Sequence, residues 1–499
     1  MTNAKAMILR GTFWMSVTRI LVNLIGFAST IILARLLTPE DFGLVAIAAA
    51  VATIFTAISE LSLSQALIQH HDPQEEHFHT AFTMNVLRGI LLASIIAGLG
   101  WPISAAYGDS RLIGVLAGFS VANLFGGLTN PKLALFERRL EFRQWIVLSG
   151  GEKLAGFLVA AIIAYLFRSY WALVAAVITS QCVRVIASYL LISYRPHWAL
   201  TKYRELLSFS IWLTLGQIMQ ALNWRADPLA LGAFLPTPSV GYFSMGSRVA
   251  TMAVGELVQP VSQVLFPAFA RIKKEQWRLR DGYLRAQGLI CLVSMPIGFG
   301  LASTAKPLVL LFLGPKWVAT IPVIQLLAVA TAIKQSNQLN PVAMATGNTK
   351  ALFSRDSRAL FIRLPLILGG LALGPTVGIG SLFGALIGHL LSSMINSLLN
   401  MHLVSKISKV TVGDQLARIW RPVAAALLMG CAVSTVLQVS DFSETTIGLI
   451  AQVVGGSLLG GTAYFGALAM LWLLSGRPQA AETVAVDLLR QFLNKRAMR

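Results

Sequence analysis

Residues 33–45 read LARLLTPEDFGLV and residues 231–243 read LGAFLPTPSVGYF. The two align without a gap at an offset of 198, placing Leu33, Leu37 and Gly43 over Leu231, Leu235 and Gly241. Each is a short connection between long apolar stretches. Further along, LRG at 87–89 recurs as LRA at 284–286, and Asn130-Pro131 recurs as Asn340-Pro341. All these echoes pair apolar stretch n with stretch n+6. Parallel repeats about an axis along the membrane normal are a recurring transporter plan. The spacing predicts two six-helix lobes in pseudo-twofold relation, over 1–200 and 201–405, two appended helices over 406–475, and a tail over 476–499.

A bilayer-crossing helix needs about 20 predominantly apolar residues. The chain has about fourteen such stretches, at 12–36, 42–67, 82–106, 112–130, 145–167, 170–193, 206–235, 240–266, 286–305, 320–346, 360–377, 379–403, 422–439 and 446–474. Barrel strands would be about ten residues long with alternating polarity, so an all-α polytopic membrane protein is expected. The composition agrees: of 499 residues, 56% are hydrophobic and 12% charged, with mean hydropathy +0.69. A soluble domain is nearer a quarter charged, so a soluble enzyme is excluded.

The formal charge of +19 comes from 40 Lys and Arg against 21 Asp and Glu. With the N-terminus on the cytoplasmic side, alternation puts 28 of the basic residues in inner connections and 5 in outer ones. That asymmetry is the positive-inside pattern. It predicts an inner (plasma) membrane protein with both termini cytoplasmic, and most of the positive charge then marks topology. No nucleic-acid partner is expected, because the basic residues form no contiguous face with stacking aromatics. The first apolar stretch is too long for a signal peptide and lacks a small-residue cleavage site. In the tail, Val484, Leu488, Leu489, Phe492 and Leu493 fall on one face against Arg490, Lys495 and Arg496, a pattern shared by an interfacial amphipathic helix and a frayed end.

No connection exceeds about 17 residues, which leaves no room for a catalytic domain, and the absence of any GK dipeptide removes a phosphate-cradling ATPase loop. The chain is therefore not expected to be an enzyme or to carry a cofactor. Cys182, Cys291 and Cys431 lie in apolar runs without CxxC spacing and read as packing residues. The connection QHHDPQEEHFHT, at 69–80, crowds His70, His71, Asp72, Glu75, Glu76, His77 and His79. Those residue types suit a divalent metal, but a short polar connection is more often simply solvated, and no metal site is assigned.

Seven basic residues remain inside the stretches, Arg19, Arg88, Lys153, Arg184, Arg225, Arg248 and Lys334, against the acids Glu60, Glu152, Asp227 and Glu256. At roughly 3 kcal/mol each, such charges facing lipid would together oppose insertion by roughly 30 kcal/mol. They must pair, snorkel or line a wet cavity, and the surplus of bases makes that cavity anion-preferring. Arg88, Arg184, Glu152 and Lys153 suit snorkelling or pairing as well as function. The candidates for substrate binding are Arg19, Arg225, Arg248 and Lys334, with Glu60, Asp227 and Glu256 for ion pairing or coupling. Asp227 precedes Pro228, which disfavours helical geometry there, so a kink or break is expected in the seventh stretch. Gly380, Gly384 and Gly388, and Gly456 with Gly460, have the GxxxG spacing of close helix contacts.

Several motifs together resemble the polysaccharide transporter branch of the multidrug/oligosaccharidyl-lipid/polysaccharide exporter superfamily, nearest to Wzx flippases of the colanic-acid type. They are ARLLTPEDFG at 34–43, ALIQHHD at 66–72, NPKLALFERRLEFR at 130–143, the series Asp227, Gly232, Gly241 and Tyr242, PVSQVLFPAFARIKK at 260–274, and LGPKWVATIPVIQLLA at 313–328. The sequence departs from the pattern at Ala233, where relatives often carry Arg. The resemblance implies two six-helix lobes around a cationic cavity open alternately to either side. It implies a flippase moving polyprenyl-diphosphate-linked oligosaccharide from the inner to the outer leaflet, for surface polysaccharide biosynthesis. Its expected partners are that lipid-linked oligosaccharide, the bilayer, and a polysaccharide polymerase or chain-length protein. Two other readings fit the composition: a cation-coupled drug or metabolite antiporter, which would want a more acidic cavity, and a non-transporting scaffold of a polysaccharide assembly complex, which would not need the interior charges.

Overall fold

The computed structural model describes residues 21–59, 63–69, 72–139, 142–208, 210–337, 339–439 and 445–476, and no strand occurs among them. Helices are the expected outcome for so apolar a chain, because they satisfy every backbone hydrogen bond within the segment. In the first half they are α1 (Leu21–Leu36), α2 (Pro39–Ile58), α3 (Glu75–Tyr107), α4 (Arg111–Gly127), α5 (Phe142–Phe167), α6 (Trp171–Leu191) and α7 (Ser210–Phe234). Then come α8 (Thr237–Ala250), a π-helical turn (Thr251–Gly255) and α9 (Glu256–Ile272), which occupy one expected stretch. The series ends with α10 (Gln276–Ser303), α11 (Ile321–Gln335), α12 (Thr349–Thr376), α13 (Ser381–Ser408), α14 (Val412–Val439) and α15 (Thr446–Leu474).

Among the described residues, ten helical stretches are long and apolar enough to cross a membrane. Helices α1 and α4 are apolar but shorter. The regions absent from both groups are Ser210–Phe234 and Thr237–Ile272, which carry Arg225, Asp227, Arg248 and Glu256. A helix this polar is stable at membrane depth only where protein or water covers its polar face.

Packing divides the chain into two compact units, Met1–Gly241 and Tyr242–Arg499. This boundary lies beyond residue 200 because α7 packs along α2 and joins the first unit. In that unit α3 packs on α4 and α5 on α6, around buried Leu44, Ile96, Leu112 and Leu116. A second cluster, Leu63, Phe78, Phe82 and Leu206, closes one end. In the second unit α10 packs against α11 and α14, and α14 against α15, around Cys291, Met295, Ala332, Met429 and Tyr464. Helix α12 packs along α13, where a Cβ on Gly384 would strike the carbonyl oxygen of Gly370, and one on Gly388 that of Leu366. The GxxxG spacing is thus realised as backbone contact, while Gly456 and Gly460 face Val433 of α14 at ordinary distance. Cys291 is buried, but Cys431 is exposed on the outside of its helix and is not a packing residue.

Local chemistry explains the start of α2. The Thr38 hydroxyl accepts from the Asp41 N–H at 3.3 Å, and the Asp41 carboxylate accepts from the Thr38 N–H at 2.8 Å, a reciprocal cap with Pro39 at the first helical position.

Two expectations are corrected. Helix α7 is not broken at Asp227-Pro228 but runs through both residues to Phe234. Proline removes one hydrogen bond, and a long helix packed along α2 tolerates that loss. Of the residues 347–359 between the tenth and eleventh expected stretches, those from Thr349 onward form the first turns of α12. Their basic residues extend the helix without ending it.

Candidate functional site: charged side chains within the helices

In the first unit, α7 presents Asp227 buried, at 5% exposure, and Arg225 half-buried. The helix is held close to α2 and α3. Gly232 fits against Ile47 and the Tyr107 ring, and the Tyr107 hydroxyl donates to the Leu229 carbonyl at 3.0 Å. Beyond it, Gly43 presses on the Thr237 carbonyl oxygen and Gly241 on that of Pro39.

Three further interior charges of this unit, Arg88, Arg184 and Glu152, find protein partners. Arg88 donates from Nε to the Ser59 hydroxyl at 3.1 Å and from a terminal nitrogen to the Thr56 carbonyl at 3.2 Å. Arg184 lies 3.6 Å from the Glu152 carboxylate. These contacts fit the structural reading of Arg88, Arg184 and Glu152. Sequence reasoning missed the neutral partner of this network, Asn123, whose Oδ1 accepts from the Thr56 hydroxyl at 2.9 Å.

In the second unit, Arg248 stands three residues before the π-helical turn, and Glu256 opens α9 directly after it. A π turn inserts one residue into the helical register and is frequent at functional sites. The turn packs against α10 and α11, and a Cβ on Gly246 would meet Val323 of α11. Lys334 lies in the last turn of α11, and both it and Arg248 are exposed. Close by in sequence, Asn337 accepts from Gln287 Nε2 at 2.9 Å and donates to the Ser397 hydroxyl, a buried polar chain linking α10 to α13. His389 of α13 places its ring 6.4 Å from Phe243 of α8. Its signal was available as a lone histidine in the apolar run LFGALIGHLLSS.

Of the seven candidate residues, Arg19 and Glu60 lie outside the described residues, as does the side chain of Glu256. Arg225 and Asp227 share one helix of the first unit, and Arg248 and Lys334 stand on adjoining helices of the second.

Arg111, after α3, reaches Glu40 of the α1–α2 connection at 2.5 Å and Asp109 at 2.7 Å. Elsewhere in the first unit, Lys132 after α4 pairs with Glu75 at 2.6 Å and His77 with Glu205 at 3.1 Å; within the second unit, Arg280 pairs with Asp414 at 2.8 Å. Each of these pairs joins two connections that alternation assigns to one side.

Around the histidine-rich connection, His77 is buried and accepts from the Gln74 N–H at Nδ1, so the proton on Nε2 is donated to Glu205. His79 Nδ1 lies 3.0 Å from the Tyr194 hydroxyl. Hydrogen bonds from Lys202 and His77 hold the Glu205 carboxyl below its ordinary range. Among the described residues no group of three or more His, Cys, Asp and Glu is placed to hold a metal, and His70 and His71 lie outside them.

A family model described as polysaccharide biosynthesis protein matches residues 32–322. The chain is similar to the lipopolysaccharide biosynthesis protein WzxC of Escherichia coli (strain K12), 24% identical over 378 residues that cover 74% of this chain and 76% of that one. It is also similar to the succinoglycan biosynthesis transport protein ExoT of Rhizobium meliloti (strain 1021), 25% identical over 443 residues covering 88% of each. In three dimensions it resembles the lipid II flippase MurJ in its inward closed conformation, with a TM-score of 0.68 and 14% identity over 92% of this chain and 98% of that one. At that identity the likeness is one of fold.

Proposed function

The chain belongs to the polysaccharide biosynthesis protein family, and from that premise we propose that it is a flippase that moves a polyprenyl-diphosphate-linked oligosaccharide from the inner to the outer leaflet by alternating access, for surface polysaccharide biosynthesis. The observation that carries this reading is the extent of the match, residues 32–322, which takes in α7 to α9 with their interior charges. A relative named for succinoglycan transport covers most of the chain.

The mechanism follows from charge and dielectric. A diphosphate cannot cross hydrocarbon unaided, and cationic side chains in a water-poor site attract it more strongly than they would in bulk water. Arg19, Arg225, Arg248 and Lys334 hold the diphosphate, while the polyprenyl tail stays in lipid. Glu60, Asp227 and Glu256 pair with these bases when the cargo has left, or carry a coupling ion. No covalent chemistry is required, so the protein is a transporter and not an enzyme. It spans the inner membrane about fourteen times as two six-helix lobes with two further helices, both termini cytoplasmic, and passes its cargo to a polymerase on the far side.

The surplus of interior bases favours this anionic cargo over the cationic substrates of a drug antiporter. The experiment is deletion of the gene followed by measurement of lipid-linked oligosaccharide on each leaflet. Accumulation on the inner leaflet, reversed by the intact gene, is the expected result. Normal appearance on the outer leaflet in the deletion strain would overturn the proposal.

A further inference from the structure

At one end of the second unit, the first turns of α10 and α14 and the first residue after α15 enclose an open cavity of about 660 Å³. Its walls include Trp277, Arg280 and Leu284 from α10, Arg418, Trp420 and Arg421 from α14, and Ser475. The cargo proposal uses none of these residues.

The depth of this cavity in a bilayer can be read from the two helices. On α10 the last charged residue is Arg285, and 286–303 contains none; on α14 the last is Arg421, and 422–439 contains none. Each uncharged run has 18 residues, which at 1.5 Å per residue gives about 27 Å, close to the hydrocarbon thickness. The apolar edge therefore falls at Arg285 and Arg421, and the cavity lies just outside it, at headgroup level. Trp277 and Trp420, 67% and 44% exposed, stand where interfacial tryptophans are enriched.

The cavity's charge points to the ligand. Three arginines line it against two aspartates, Asp281 and Asp414. Asp281 is directed to Arg285 at 2.8 Å, and Asp414 takes both Arg280 and the Thr411 N–H. Arg421 is 5% exposed and lies 5.8 Å from the Trp420 ring centroid, which holds its guanidinium in place at the base of the cavity. Guanidinium groups match phosphate geometry, and basic pockets between helix ends are the form in which anionic lipid headgroups are bound.

We propose that this cavity binds the phosphate of an anionic phospholipid, whose acyl chains run along the uncharged lengths of α10 and α14. The site is separate from the cargo residues, so it survives if the cargo proposal fails. It rests only on the chain being a membrane protein.

The test uses the full chain, purified and exposed to equal amounts of phosphatidylglycerol and phosphatidylethanolamine with matched acyl chains, with retained lipid counted by native mass spectrometry. Phosphatidylglycerol is expected to be preferred. Each of Arg280→Gln and Arg418→Gln should lower its retention about fivefold, the effect of one basic residue at an anionic membrane surface. Arg204→Gln, an exposed arginine of the other unit, should leave it unchanged. Equal retention of the two lipids, an equal loss in Arg204→Gln, or displacement of the lipid by millimolar inorganic phosphate would overturn the proposal. Thermal stability of both variants should stay near that of the parent, because Arg280 is exposed and its ion pair with Asp414 is solvent-screened, and Arg418 is only half-buried; a variant that fails to fold is replaced by the conservative Arg→Lys change, which should retain most of the lipid.

Discussion

Gly43 and Gly241 make the same contact in exchange. Gly43 of α2 packs on the carbonyl of Thr237, and Gly241 of α8 packs on the carbonyl of Pro39. Both donors of that contact stand 198 residues from their counterparts, since Pro39 aligns with Thr237 as Gly43 aligns with Gly241. The contact is therefore reciprocal, each glycine packing on the backbone that precedes the other. A Cβ at either position would occupy the space of a backbone oxygen, which cannot move without its helix.

Gly43→Ala and Gly241→Ala should each lower stability by about 1–3 kcal/mol through overpacking. Because both act on one contact, the double variant should lose clearly less than the sum. Thermal unfolding of the four proteins in detergent measures the coupling, and strict additivity would show that the contact is not shared.

The Glu40–Arg111–Asp109 cluster predicts an acid limb. Hydrogen bonds from Arg111 hold the Asp109 carboxyl below its ordinary value. A lowered folded-state pKa means that the contribution is complete above the unfolded value, near about pH 4, and is lost as pH falls through the folded one. Stability should therefore fall below about pH 4, and Asp109→Asn should flatten that limb by removing the same small contribution at neutral pH while leaving acid stability unchanged. The solvent exposure of Arg111 keeps the effect small.

The Glu152–Arg184 pair predicts compensation. Arg184→Leu strands a carboxylate inside the bundle and should reduce the amount of protein in the membrane. The double variant Glu152→Leu/Arg184→Leu should recover much of it, because removing both charges also removes their desolvation cost. Immunoblots of membrane fractions distinguish this from a role in transport, which the double variant would not rescue.

For the cargo residues, Arg225→Gln, Arg248→Gln and Lys334→Gln should each abolish polymer export at normal membrane levels. Arg248→Lys should keep part of it, since a point charge still attracts phosphate but loses the bidentate fork. Export at the parental rate in all three glutamine variants would remove them from the mechanism.

The helices of this protein are legible residue by residue. Apolar length is a local, additive quantity, so all the expected stretches overlap helices, and the connection at 36–41 even carries its own cap in Thr38 and Asp41. The errors arose where local rules compete with packing. Proline was expected to kink or break α7, and the helix, held along α2, continues through it unbroken. Asn123, Asn337 and His389 escaped notice because a search for charges passes over neutral and singly placed polar groups, whose partners are remote in sequence.

The sequence by itself determined that the chain is a multi-pass helical membrane protein and where along it the helices fall. These follow from hydrophobicity and charge, both of which can be summed along the chain. Tertiary structure alone decided that Arg184 meets Glu152, that Asp227 is buried and that Arg248 and Lys334 are exposed. It also turned the matched glycines into a reciprocal contact. A pairing between residues 198 apart depends on where two helices meet, which no local property of either helix contains.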